Sequence, residues 1–167
     1  MADVKGSHTY AADVDAVVAM LGDRDATIAK YEGMGHREVQ IERLDASDDA
    51  ITIVSSRVVD ADIPGFAKKV LKPTNTMHQT DEWRRKADGT WDGTFDVDVK
   101  GAPVHISGTM RLVPGDGDTT HDVTIKVDVK VPLVGGKIAD WAAKNDVKTT
   151  LDAEFAAGDT YLAARSG

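Results

Sequence analysis

Five histidines, His8, His36, His78, His105 and His121, hold most of the acid–base and metal-binding potential of this 167-residue chain, and no two are four residues apart. A helical zinc site needs two imidazoles one turn apart, so that spacing is missing. The chain also has no cysteine, which removes thiolate ligands, thiol nucleophiles and disulfides together. Asp116, Asp118, Thr120 and Asp122 imitate the early ligands of a calcium loop, but His121 stands where glycine is required and Val127 where the last glutamate is required. The segment reads as a turn. Gly135-Gly136-Lys137 matches the end of a phosphate loop, yet Val131 replaces its first glycine and Ile138 its hydroxyl residue. Ser55, Ser56 and Ser107 have no nucleophile-elbow context, and spacing neither supports nor opposes a triad built from distant partners. No catalytic residue, metal ligand or cofactor is assigned from these patterns.

Polar residues that share a face with apolar ones are the better candidates for orienting a ligand, because an apolar pocket uses a few polar groups for specificity. Met77, Gln79, Asp81, Trp83 and Arg85 lie on one face of a strand. Trp83 offers area and an indole N–H, and Arg85 offers a fork for a carboxylate head. The plainer reading makes Trp83 a core plug and Arg85 a partner of Asp81 or Glu82, which is the commoner arrangement. Arg57, alternating with Ser55 and Ile53, is a second candidate anion anchor under the same alternative. His121 shares parity with Val123 and Ile125. It can point inward as an acid–base group or mark the solvated mouth of its strand, the second being commoner. His105 has the opposite parity to Val104 and Ile106 and is expected to face water.

The elements that must position these residues follow from periodicity. Lys5 to Tyr10 reads as a strand, Asp13 as the N-cap of a helix carrying Val14, Val17, Val18 and Leu21, and Arg24 to Glu32 as a second helix ending at Gly33 and Gly35. Strands are expected over His36 to Asp45 and Ile51 to Asp60, joined by the turn Ala46-Ser47-Asp48-Asp49. Asp62 to Leu71 is a short excursion around Phe66. Strands resume over Asn75 to Lys86, then place Trp91, Phe95, Val97 and Val99 on one face, and next Val104, Ile106, Met110 and Leu112. His121 to Leu133 alternates as a last long strand. A helix of about thirty residues, roughly 45 Å by its rise, then runs to Arg165. Its stripe holds Ile138, Trp141, Ala142, Asn145, Leu151, Phe155, Gly158 and Leu162, with Lys144, Asp146, Lys148, Asp152 and Asp159 away from it. The small and polar interruptions leave room for a cavity under the helix, unless strand side chains fill it.

Residues 1–167 carry no repeat or low-complexity linker and are expected to form a single domain. A net charge of −8 and pI of about 5.0 weigh against nucleic acid. Lys68-Lys69 and Arg84-Arg85-Lys86 read as solvated faces. No apolar run is long enough for membrane insertion, so a soluble, cytoplasmic protein is expected.

One strand, two short helices, six antiparallel strands and a long C-terminal helix resemble the START-like helix-grip superfamily, which includes the birch-pollen allergens and polyketide cyclases. The segment Tyr10-Ala11-Ala12-Asp13-Val14 through Leu21-Gly22-Asp23 is similar to its strand-to-helix opening. The segment Val129-Lys130-Val131-Pro132-Leu133-Val134-Gly135-Gly136-Lys137-Ile138, followed by Leu151-Asp152-Ala153-Glu154-Phe155, resembles an actinobacterial branch classed as a domain of unknown function. The resemblance implies an α+β helix-grip fold, a curved antiparallel sheet of about seven strands wrapped around the last helix, with an apolar tunnel between them. Across the superfamily that tunnel holds lipids, sterols, polyketides and hormones. The expected partner is thus a hydrophobic small molecule or lipid, carried or sequestered, with no protein partner specified. Candidate lining residues are Ile41, Ile53, Ser55, Arg57, Phe66, Met77, Gln79, Trp83, Arg85, Trp91, Phe95, Ile106, Met110, His121, Val123, Ile125, Trp141 and Phe155. A cyclase- or dehydratase-like enzyme and a protein-interaction module with a filled core remain as alternatives.

Overall fold

A computed structural model describes residues 1–166. Strand β1 (Ala2–Tyr10) is followed by helices α1 (Val14–Leu21) and α2 (Arg24–Gly33). Six strands come next: β2 (Arg37–Ala46), β3 (Ala50–Asp60), β4 (Thr74–Arg85), β5 (Trp91–Val99), β6 (Val104–Pro114) and β7 (Thr119–Val129). Helix α3 (Gly135–Ala142), a π turn (Ala143–Val147) and helix α4 (Lys148–Ser166) complete the chain's described part. The sheet order is β1-β7-β6-β5-β4-β3-β2, antiparallel throughout, so β1 closes against the last strand rather than the second. This is the helix-grip α+β arrangement.

Local chemistry accounts for the helix starts. The Asp13 carboxylate accepts the Ala16 N–H at 2.9 Å and the Asp23 carboxylate accepts the Ala26 N–H at 2.8 Å, each satisfying an otherwise unbonded donor. Asp13→Ala is expected to lower stability by about 1 kcal/mol, read as a shift of the urea midpoint with an unchanged slope. An unaltered midpoint would show that packing of Val17 alone sets the helix start.

Curvature and close packing on the concave face depend on two glycines. Trp83 lies across Gly93 and Phe95 across Gly108, each aromatic residue being the cross-strand partner of its glycine. A Cβ at Gly108 would collide with the Thr124 carbonyl and the Phe95 ring. The concave face is covered by α3 and α4, which bury Ile138, Ala142, Leu151, Phe155 and Leu162 against it. Each large side chain buried in this way contributes about 1.5–3 kcal/mol.

Two expectations are corrected at the C-terminal end. Alternation predicts a strand to Leu133, but β7 stops at Val129. Pro132 has no N–H to pair, the Gly135 N–H turns back to the Val131 carbonyl, and Leu133 is fully exposed at φ 71°. The last helix also departs from a uniform 3.6-residue period. Its π turn over Ala143–Val147 shifts the register, so Asn145 is exposed while Val147 is buried and Asp146 half-buried. Trp141 is only half-buried.

Candidate functional site

Between the concave face and α4 lies a cavity of about 120 Å³. Its apolar wall comes from Met77, Phe95, Val97, Ile106, Met110, Val123 and Ile125 on the strands and from Val147 and Leu151 on the helical side. Its polar wall comes from Lys30, Arg57, Gln79, Asp81, His121, Asp146 and Glu154. Both belong to one site because the strands alternate: the residues that face inward on β3, β4 and β7 include Arg57, Gln79 and His121 among aliphatic neighbours.

Arg57 is 6% exposed. Its guanidinium lies over the Tyr31 ring, 4.1 Å from the centroid, and its Nε donates to His36 Nδ1 at 3.1 Å. Gln79 donates to the Asp81 carboxylate at 2.7 Å. Lys30 Nζ meets Glu154 Oε1 at 3.3 Å across the α2–α4 contact. His121, also 6% exposed, is boxed by Trp83 at 5.6 Å, Phe155 at 5.5 Å and Tyr10 at 6.1 Å between ring centroids. Among the described residues, no protein group lies within hydrogen-bond reach of Arg57 Nη1 or of either ring nitrogen of His121. His8, His78 and His105, by contrast, each meet a carboxylate.

Burial sets the charge states. It pushes the His121 imidazole down to about 4, so His121 is neutral at pH 7. Burial, reinforced by the adjacent Arg57, does the same to His36, also to about 4. Burial raises the Asp81 carboxyl above the usual range, against the pull of Gln79 and Lys30. Burial opposes ionisation of Lys30 and Glu154 too, but their mutual attraction wins, holding the ammonium above and the carboxyl below their ordinary values. The site therefore combines a neutral imidazole free to give or take a proton, a guanidinium with one free arm, and a satisfied ion pair.

Of the sequence candidates, Arg57, Met77, Gln79, Trp83, Phe95, Ile106, Met110, His121, Val123 and Ile125 come together around the cavity. His121 is not at a solvated mouth, because α4 and Phe155 cover it. Ile53, Ser55, Trp91 and Phe155 are buried but not on the cavity wall, and Ile41 and Trp141 are half-buried outside it. Arg85 is exposed and outside the cavity wall: it shares the parity of Trp83 and pairs with Trp91, but at the end of β4 its long side chain reaches water. Phe66 is exposed on its excursion, under Lys137 Nζ at 4.3 Å from the ring centroid. Sequence reasoning missed Lys30 and Glu154, which look like ordinary solvated helix residues. It placed Asp146 on the outer face, whereas the π turn brings it to the cavity.

A second, open groove of about 610 Å³ runs between α2 and α4. It is lined by Ala26, Ala29, Met34, Ala153, Ala157 and Tyr161 among others, and shares Leu21 and Lys30 with the cavity. On the convex face, β5 and β6 bring together Asp96, Asp98 and His105, whose potential ligand atoms lie within 4.8 Å of one another. The Asp98 contact holds the His105 imidazole above its ordinary pKa. Strand pairing makes this trio, which linear spacing did not reveal.

A seven-stranded antiparallel sheet gripping a long C-terminal helix, with a cavity between them, is the helix-grip fold. Within it, the chain belongs to DUF2505, a protein family of unknown function whose model matches residues 5–162. Solved structures share the fold. The protein TTHA0849 from Thermus thermophilus superimposes with a TM-score of 0.68 at 12% identity, over 99% of this chain and 100% of its own. The Zhui aromatase/cyclase from Streptomyces sp. R1128 gives 0.64 at 20%, over 99% and 96%. A START superfamily protein from Mycobacterium smegmatis gives 0.54 at 15%, over 97% of each chain. Comparison with curated proteins gives no match. Among the described residues, no helix is long and apolar enough to cross a membrane.

Proposed function

We propose that this protein binds a hydrophobic small molecule between its sheet and C-terminal helix, as a carrier or sequestering module. The observation that carries the reading is the placement of unpartnered, buried polar atoms on Arg57 and His121 in a cavity with one apolar wall. A buried polar group without a partner costs about 1–3 kcal/mol, and an occupant with matching groups relieves that cost. Apolar walls supply affinity and the few polar groups supply orientation. The helix-grip fold, shared with an aromatase/cyclase, supports the same reading. The acidic surface and cysteine-free chain suit a cytoplasmic protein without a nucleic-acid partner, and the closing segment suits an actinobacterial origin.

Native mass spectrometry of freshly purified protein, followed by denaturing extraction, tests it. A stoichiometric organic adduct, or saturable uptake of added apolar probes by the adduct-free protein, is the expected result. A clean mass with no uptake of any probe would overturn the reading.

His121 favours a second reading, an enzyme of the cyclase or dehydratase type, because a neutral buried imidazole with both nitrogens unpartnered is equipped for proton transfer. His121→Gln would then abolish turnover of the extracted ligand while retaining its binding. Unaltered turnover in that variant would remove the enzymatic reading.

A further inference from the structure

We infer that the cavity selects a ligand that joins a carboxylate to an apolar body, with its carboxylate on the free arm of Arg57. This rests on the ligand-binding reading above and narrows it to a ligand class.

The apolar body of the ligand is met by the cavity walls. The aromatic and thioether side chains of Trp83, Phe95, Met77 and Met110 suit a flat ring.

Charge comes from the way the polar groups are already committed. The Lys30 ammonium is engaged by Glu154. The Gln79 amide is engaged by Asp81. Arg57 uses Nε on a neutral acceptor, His36, and its face on Tyr31, which leaves, among the described residues, a permanently charged group with no carboxylate at hydrogen-bond distance and with Nη1 unpartnered. Asp81 and Glu154 feel the charge of Arg57 at a distance, but among the described residues no acidic group of the wall hydrogen-bonds it. A ligand carboxylate supplies what the protein does not: a charged acceptor at hydrogen-bond distance from Nη1. The two bare nitrogens of His121 lie on the same cavity, available to a hydroxyl or carbonyl on the ligand.

The test is a set of calorimetric titrations of the full chain with benzoate, benzamide, toluene and decanoate, repeated on Arg57→Gln and Arg57→Lys. Benzoate is expected to bind about tenfold or more tighter than benzamide or toluene, the worth of one charge-assisted hydrogen bond. That preference should vanish in Arg57→Gln and persist in part in Arg57→Lys, with toluene binding kept in both. Benzamide or toluene binding as tightly as benzoate, or a preference that survives Arg57→Gln, would overturn the acid-selective inference while leaving apolar ligand binding intact. Decanoate binding that is unaltered in Arg57→Gln would overturn it in the same way. Failure of all four probes, together with a clean native mass, would overturn the ligand-binding reading itself. The benzoate–benzamide contrast in the unaltered protein decides the charge question even if a variant does not fold.

Discussion

Phe155→Ala is expected to lower the unfolding free energy by about 3–5 kcal/mol, the largest single effect foreseen outside the backbone. Phe155 is 6% exposed and is where the last helix locks onto the sheet. Its ring stacks on His8 at 5.1 Å and meets His121 edge-on at 5.5 Å and Tyr10 at 6.4 Å. Truncation removes the apolar area and leaves a void that α4 cannot close, because Gly158 already rests on the Tyr10 ring one turn further on. The same void would adjoin His121 and enlarge the space available to a ligand. Urea unfolding should show the lower midpoint, and titration with two-ring carboxylates should show tighter uptake than by the unaltered protein. A midpoint shift below about 1 kcal/mol would mean that the helix resettles freely and that Phe155 does not anchor it.

Acidification from pH 7 to pH 5 is expected to remove about 2 kcal/mol of stability through His121 alone. Its folded pKa lies at about 4, below the ordinary 6.5. The unfolded chain therefore takes up this proton first, and stability falls as pH drops from 6.5 towards 4. His36, also lowered to about 4, acts in the same direction. Asp81 and Asp146 act oppositely, since burial raises their carboxyls and the folded state protonates before the unfolded one. Glu154 contributes only at lower pH, where its salt-bridged carboxylate protonates below the ordinary 4.5. His121→Phe should flatten the slope between pH 7 and pH 5. It should also raise stability at pH 7 by about 1–2 kcal/mol, because a ring of similar shape replaces one with two unpartnered nitrogens. Retention of the full slope in that variant would show that His121 is not the titrating group. A gain in stability with a loss of ligand binding would mark His121 as a residue kept for function at a cost in stability.

Much of the architecture was legible in linear order. Strict alternation from Val123 to Val129 marked a strand with one dry face, and Asp13 and Asp23 lie where helix starts need a carboxylate. The inward parity of Arg57, Gln79, Trp83 and His121 also followed from alternation, and all four line the cavity. Parity is a local property of an extended chain, so it survives whatever the strand pairs with. Parity does not fix burial at Arg85, where the strand ends and a long flexible side chain escapes to water.

What the amino-acid sequence determined by itself is therefore the set of elements, their faces and the order that closes a seven-stranded sheet on a long helix. Only the tertiary structure decided which polar groups meet and which stay unpartnered. Lys30 joins Glu154 because α2 lands on α4, and Asp146 reaches the cavity because a π turn breaks the helical period. Asp96, Asp98 and His105 converge because β5 pairs with β6. Local periodicity depends on backbone geometry shared by neighbouring residues, whereas these encounters depend on packing between segments far apart in the chain, Lys30 and Glu154 being separated by 124 positions. The size of the cavity is set by that packing.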